Sequence, residues 1–368
     1  MKVMKKYTIV CFLLLVFGLF LTVKTPVSAE DLSSVFIDGV EYNLTRTQYA
    51  VASIDRVRGD HLKSELYIPS TVEYNGKTYR VRQFYWGDMG TYNQRRPSFD
   101  RLDWKTVNIP DQKRSYYACL KKITIAKGVL VQGMAYQFDQ LEEVVLEDPN
   151  NMLDAYYNQC PKLKTLHLGS RISDYNLDIK NCPSLQVTID SANPYMKVIE
   201  KDIYSKDGKT LYDVVNGSRE YHVRKGVKKI AGKGLSYNTS IEKLYLPDSV
   251  TDIRTDTINN LPNLKKIRFG KKMDIFHWGW MEGNPKVKKV YVPAKVKEIH
   301  YNYVEEKIKS VKKIYLYSKN LKKGNLKGAP KSCTIYVKNA SVKKQLKKFG
   351  FKGKVVIKKN IKNYNKTF

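Results

Sequence analysis

The feature that most constrains this chain is a recurring frame of apolar residues, with one apolar position followed by others three and five places later. It recurs at Ile241/Leu244/Leu246, Leu264/Ile267/Phe269, Val287/Val290/Val292 and Val311/Ile314/Leu316, with starts 23, 23 and 24 residues apart. In three of these copies apolar residues return nine and twelve places on, as Val250 and Ile253, Met273 and Phe276, and Val296 and Ile299. The fourth has Asn320 at the ninth place and is expected to have lost its second half. Upstream, the frame fits Leu120/Ile123/Ile125, Leu141/Val144/Leu146 and Leu163/Leu166/Leu168 at spacings of 21 and 22 residues. A strand with alternate residues inward, a tight return and a second buried segment together close one turn of about 20 to 29 residues. One such coil cannot bury its own apolar face, but stacked coils can. With neighbouring strands about 4.8 Å apart, roughly ten coils would make a curved rod about 50 Å long. A β-sandwich would account for short alternating strands but does not demand one fixed period with matching internal positions.

The flanks and one internal segment break the frame. Residues 1–6 carry three lysines, residues 7–23 are almost wholly apolar, and "PVSA" ends in small residues, which reads as a signal peptide cut after Ala29. No second run reaches the roughly 18 apolar residues of a spanning helix, and no sorting motif followed by an apolar tail is found. The mature protein is therefore expected outside the cytoplasm with no membrane span. "VFIDGVEYNLT" and "TQYAVASID" read as an N-terminal hairpin cap turning at Asp38-Gly39. "SKDGKT", within a segment near 193–217 that lacks the frame, reads as an inserted hairpin between short strands. "NASVKKQLKKFG" puts Val342, Leu346 and Phe349 on one helical face and stops at Gly350, and "KVVIK" reads as a last strand. The expected organisation is thus 1–29 signal peptide, 30–61 N-terminal cap, 62–338 solenoid with the insertion, and 339–368 C-terminal cap and basic tail.

The repeats "LPDSVTDI", "VPAKVKEI", "CPSLQ" and "LPNLKKI" resemble the bacterial leucine-rich repeats of the BspA-like, Treponema-type group. "YSKDGKTLY" and "IPSTVEYNGKTYRV" are also similar to segments of such proteins, and the resemblance runs from about Leu62 to Lys359. It implies a repeat solenoid: a leucine-rich repeat array of short parallel strands with irregular return segments, a β-hairpin N-cap and a small α/β C-cap. It also implies a secreted or cell-surface protein that binds matrix, host cells or other bacteria. Fold alone does not fix that role. The family's usual Ala-Phe after the second apolar pair is replaced here by "TDTI", "HWGW" and "YNYV", so these returns are expected to pack differently.

Catalytic signals are absent: there is no HExxH, GxSxG or phosphate-cradling glycine loop. His61, His167, His222, His277 and His300 are scattered through the coils, and Glu142/Glu143 and Glu305/Glu306 are adjacent in sequence rather than convergent. No catalytic residue, cofactor or metal site is assigned. Cys160 and Cys182 each stand three residues before a repeat start, which favours stacked, buried free thiols over a disulfide framework that would also draw on Cys119 and Cys333.

Charge supplies the functional signal. Residues 30–218 hold 24 basic and 25 acidic side chains, whereas residues 219–368 hold 38 basic and 10 acidic ones. Such asymmetry points to a polyanion on the C-terminal half. The repeat aligns one outward rung through Glu220, Lys243, Lys266, Lys289 and Lys313, and a second through His222, Tyr245, Arg268, Tyr291, Tyr315 and Tyr336. Lys243, Tyr245, Lys266, Arg268, Lys289, Tyr291, Lys313 and Tyr315 are therefore the expected ligand-binding residues. The plainer alternative is a solvated face in which lysine stems cover tyrosine rings. The expected partner is an extracellular polyanion (teichoic acid, a glycosaminoglycan or mucin) or a host or bacterial surface protein. Nucleic acid ranks below these because the chain is read as exported, and a secreted enzyme or a structural coat component are the alternatives. If the basic half holds the protein on a cell surface, concentrated salt should wash it from intact cells. Release only by detergent or wall digestion would show a different anchor.

Overall fold

In a computed structural model, the structure describes residues 33–54, 62–86, 116–215, 217–232, 234–254, 257–301 and 308–361, together with residue 364. The expected signal peptide, His61, Glu305, Glu306 and the part of "YNYV" after Tyr301 lie outside these residues.

The inward positions of the frame build a parallel β-solenoid. Strand Lys122–Ile125 pairs in parallel with Glu65–Ile68 on one side and Glu143–Leu146 on the other, and the sheet continues through Thr165–Leu168 and Gln186–Ile189. Each step is one coil, so Ile123, Val144, Leu166 and Val187 fall in one buried column. In the C-terminal half every residue of the four frame copies is buried, from Ile241 to Leu316. Alternation at period two puts these residues on the inner face and leaves the intervening ones to solvent.

The return segments are more regular than expected. Met134–Tyr136, Ala155–Asn158 and Leu177–Lys180 form a second parallel column, and so do Ile275–His277, Glu298–His300 and Lys323–Asn325. Return strands such as Ile275–His277 and Glu298–His300 turn only one apolar residue inward, Phe276 or Ile299, so the sequence shows the position but no alternation. The fourth coil also keeps its second half, against expectation. Gly324 stands where the neighbouring coil has Ile299, and a Cβ there would meet the Phe349 ring at 2.5 Å and the Ile299 carbonyl oxygen at 2.8 Å. A glycine is required because the terminal aromatic ring occupies the volume that an inward aliphatic residue fills elsewhere.

Both ends are covered. Ser33–Ile37 and Val40–Leu44 form an antiparallel hairpin turning at Asp38 (φ 50°) and Gly39 (φ 84°), and Tyr49–Ser53 adds a third strand. That strand joins the array through Lys77–Tyr85, which itself pairs with Leu130–Gln132. At the other end, helix α1 (Ala340–Lys348) starts at Asn339, whose side chain accepts the Val342 N–H at 2.9 Å. It buries Val342 and Leu346, and Gly350 turns the chain at φ 93° into strand Lys354–Ile357, which pairs with Thr334–Val337.

The solenoid is interrupted at the expected hairpin insertion, and its interior falls into two apolar clusters there. One apolar core runs from Val35 to Val215 and the other from Tyr204 to Val355. They meet at the insertion, a three-stranded antiparallel unit of Met196–Ile199, Asp202–Ser205 and Thr210–Asp213. Its last strand pairs in parallel with Lys229–Ile230 and thence Asp252–Ile253, so the ladder is handed on to the following coils. The seam is polar: Lys180, Asp178, Asp202 and Asp213 are all buried there. Tyr221 donates its hydroxyl to Asp202 Oδ2 at 2.5 Å, yet burial outweighs that bond and pushes the Asp202 carboxyl up from 3.8 to about 6.

Because the folded value lies above the unfolded one, the folded chain binds the extra proton between these values. The stability this group contributes is complete below about pH 4 and is lost as pH rises through about 6. Asp202→Asn should remove that slope. The difference in unfolding free energy between parent and variant should change by roughly 2–3 kcal/mol across the window, and parallel pH profiles would show that Asp202 does not titrate there.

Candidate functional site

The structure brings the expected ligand residues together in two groups rather than one. Lys243 lies opposite Lys266 and Tyr245 opposite Arg268, while Lys289 lies opposite Lys313 and Tyr291 opposite Tyr315. The first group belongs to the sheet Glu220–His222, Lys243–Tyr245, Lys266–Arg268. The second belongs to the sheet Lys289–Val292, Lys313–Leu316, Thr334–Val337, Lys354–Ile357. The backbone ladder is therefore interrupted between Lys266 and Lys289, although the two strands remain neighbours in the stack. This interruption coincides with the coil that houses buried Trp278, Trp280 and Met281 in a 3-10 turn.

In the first sheet, acids of neighbouring coils occupy the cations. Lys243 Nζ meets Glu220 Oε2 at 3.0 Å, and Glu242 takes Lys265 at 2.8 Å and Arg219 at 3.0 Å. Hydrogen bonds from Lys265 and then Arg219 hold the Glu242 carboxyl down at about 2. Arg268 donates Nη2 to Asp248 Oδ1 at 2.9 Å and Nη1 to the Leu246 carbonyl at 2.8 Å. The Tyr245 ring lies flat on His222, 4.3 Å between centroids and 4° between planes. These are intramolecular networks, and an external anion would have to compete with carboxylates already in place.

The second sheet differs in composition and in pairing. Lys289 and Lys313 are exposed and in register, and Lys288 and Lys312, each one place earlier, are exposed beside them. Lys288 Nζ donates to the Pro285 carbonyl, and among the described residues none of these four lysines meets a carboxylate. Sequence reasoning missed Lys288 and Lys312, although a plain signal marks this end of the chain. From Lys307 to Phe368 there is no aspartate or glutamate.

The tyrosine rung is ordered by stacking and by the chain's own tail. Tyr291, Tyr315 and Tyr336 stack at 5.0 and 4.9 Å with planes 12° apart. Against them pack Tyr317, Ile361 and Tyr364, which form a small buried cluster. The Tyr364 hydroxyl donates to the Phe269 carbonyl at 2.7 Å, and its ring meets Tyr317 edge-on at 5.4 Å. Burial raises the Tyr291 and Tyr315 phenols. The expected tyrosine contacts are therefore partly taken by residues after the last strand, while the lysine rung beside them stays open. No sequence period could reveal this, because Phe269 and Tyr364 are 95 residues apart.

Cys119, Cys160, Cys182 and Cys333, the cysteines among the described residues, are free. Cys160 and Cys182 are buried on successive coils, with Cys160 Sγ 3.4 Å from the Ala135 carbonyl and Cys182 Sγ 3.2 Å from the Lys180 carbonyl. Among the described residues no group of three or more His, Cys, Asp or Glu side chains is placed to hold a metal ion, and no helix is long and apolar enough to cross a membrane.

Comparison with known families matches residues 218–325 to the BspA type leucine rich repeat region, in six copies. The chain is similar to the solved pneumococcal vaccine antigen PcpA, at 14% identity over 90% of this chain and 100% of that one, with a TM-score of 0.47. It is similar to a leucine-rich cell surface protein of Faecalibacterium prausnitzii at 13% identity over 81% and 95% of the two chains, TM-score 0.32. A leucine-rich repeat protein of Bacteroides ovatus is similar at 14% identity over 88% and 99%, TM-score 0.38. No curated protein sequence matches significantly.

If Tyr364 fastens the tail, Tyr364→Ala should expose Lys358 and Lys359 to trypsin roughly tenfold faster, with the solenoid still folded by circular dichroism. Equal cutting rates in parent and variant would show that other contacts hold this segment.

Proposed function

We propose that this chain, which carries BspA-type leucine-rich repeats over residues 218–325, is an exported binding protein that attaches to an anionic polymer at a cell surface through its C-terminal four-stranded sheet. The observation that carries the reading is the cluster Lys288, Lys289, Lys312 and Lys313: exposed, aligned on adjacent strands, and without a carboxylate partner among the described residues. Like charges about 5 Å apart repel, and a string of phosphates or sulfates relieves that repulsion while gaining several contacts at once. The Lys243 and Arg268 network serves the stack, since its acids already neutralise it. A binding role rather than catalysis also agrees with a scaffold that spends its polar side chains on coil-to-coil bonds.

The anion is a wall polymer of the teichoic acid type or a sulfated or sialylated host glycan. Both present repeated negative groups on a flexible chain. The near-neutral N-terminal half is left for a second contact with a surface protein.

Replacing Lys288, Lys289, Lys312 and Lys313 together by Gln keeps long polar side chains on the strands. Affinity for purified teichoic acid or heparin at low salt should fall by roughly tenfold or more, and its salt dependence should flatten. The matching replacement of Lys243, Lys265 and Lys266 should change affinity far less. A folded Lys288/Lys289/Lys312/Lys313 variant that binds both polymers like the parent would remove the C-terminal sheet as the site.

A further inference from the structure

The buried seam between the two cores holds a group that the binding role does not use. Asp178 and Lys180 are separated by one residue on strand Leu177–Lys180 and so point the same way. Asp213 closes strand Thr210–Asp213 and faces them. The side chains of Lys180 and Asp213 are each 1% exposed, and Lys180 Nζ is in direct contact with Asp213 Oδ1. Asp213 Oδ2 accepts the Ile179 N–H at 2.7 Å. Asp178 Oδ1, buried and accepting no hydrogen bond among the described residues, sits 3.5 Å from Lys180 Nζ. Asp202 lies close enough for Lys180 to act on its charge.

A buried ammonium–carboxylate pair and its amine–carboxylic acid form differ by the position of one proton. Removal from water penalises the charged form far more than the neutral one. The neutral form places a nucleophilic amine against an acyl carbon whose other oxygen already holds a hydrogen-bond donor. A third carboxylate stands within reach of the amine to carry a proton. A pair that served only to balance charge would not need Asp178, a further buried carboxylate that adds a desolvation cost.

We propose that Lys180 and Asp213 join in an intramolecular isopeptide bond, with Asp178 as proton carrier. The Lys180 Nζ lone pair attacks Asp213 Cγ, and the negative charge that develops on Oδ2 is stabilised by the Ile179 N–H. Asp178 takes a proton from the attacking nitrogen and delivers it to the Oδ1 hydroxyl. The Cγ–Oδ1 bond then breaks, its electron pair leaves with the oxygen, and one water is expelled. The products are a Cγ–Nζ amide and water, no oxidant or reductant is required, and Asp178 is returned unchanged. Fixed contact within a closed interior replaces the high concentration that such a condensation demands in solution. The bond ties the last coil of the first core to the insertion strand that opens the second, clamping the seam where the apolar interior is divided.

The test is the mass of the intact, folded, reduced chain. It should be one water lighter than its sequence requires, and proteolysis should yield a branched peptide joining the segments that contain Lys180 and Asp213. Lys180→Arg should restore the full mass. Asp178→Asn, which retains the buried pair, should lose water far more slowly, with folding monitored by circular dichroism. A folded parent chain that keeps its full mass after prolonged incubation overturns the proposal whatever the variants do. A water loss that maps elsewhere also overturns it, and loss at the parental rate in Asp178→Asn overturns the relay.

Discussion

A single coil of this chain has nothing against which to bury its inward residues, so each coil depends on its neighbours for a core. Stacking meets that need but sets a second one, because the corners of each coil carry backbone groups into the stack where water cannot reach them. Buried asparagines answer it. Asn284 donates to the Ile258 and Trp280 carbonyls and accepts the Leu261 N–H, while Asn238 accepts from Ser240 and Ile241. Asn193 does the same at the edge of the insertion, bonding the Gly169 and Ile172 carbonyls and the Tyr195 and Met196 amides. The position three residues before a frame start is therefore a structural one throughout. It is filled by Phe138, Cys160, Cys182, Asn238, Leu261, Asn284 and Ile308, all buried.

This dependence explains what the sequence makes legible. The positions of Ile241, Leu264, Val287 and Val311, and the register that brings Lys243 against Lys266 and Lys289 against Lys313, follow from a period and an alternation. Cys160 and Cys182 were readable for the same reason. What escapes the period is whatever a coil does with a residue from far away. Gly324 yields to Phe349, Tyr364 reaches Phe269, and Lys180 meets Asp213 across the insertion. The expected column of uncompensated lysines failed at Lys243 for a further reason. Glu220 occupies the same rung, so the period that aligned the lysines also placed an acid at their head.

The charge asymmetry gains a sharper meaning once pairing is considered. Between residues 219 and 268 the coils alternate cation and anion, and Glu242 bridges Arg219 and Lys265 across three successive turns. Exposed pairs of this kind add little to stability individually. Their effect is to offset part of the positive field over that sheet. Beyond the tryptophan-bearing coil the acids thin out and then cease at Lys307, so the field of the C-terminal sheet is left standing. Net charge alone spreads the positive excess over the whole half-molecule; pairing shows that its uncompensated part is concentrated at one end.

That end is also where an open solenoid is most vulnerable, since the last coil exposes inward residues and a strand edge. Helix α1 and strand Lys354–Ile357 close the apolar face with Val342, Leu346, Phe351 and Val355. The residues after that strand turn back over the tyrosine rung instead of extending away. The same segment that seals the stack therefore covers the stacked rings and leaves Lys289 and Lys313 beside them in solvent. Stability requires the tyrosines to be sheltered, and an unpaired lysine row is tolerated only where water solvates it. A fold that shelters one rung and bares the next separates the two demands along a single strand: its inward residues hold the stack together, and of its outward residues one packs while the other stays in solvent.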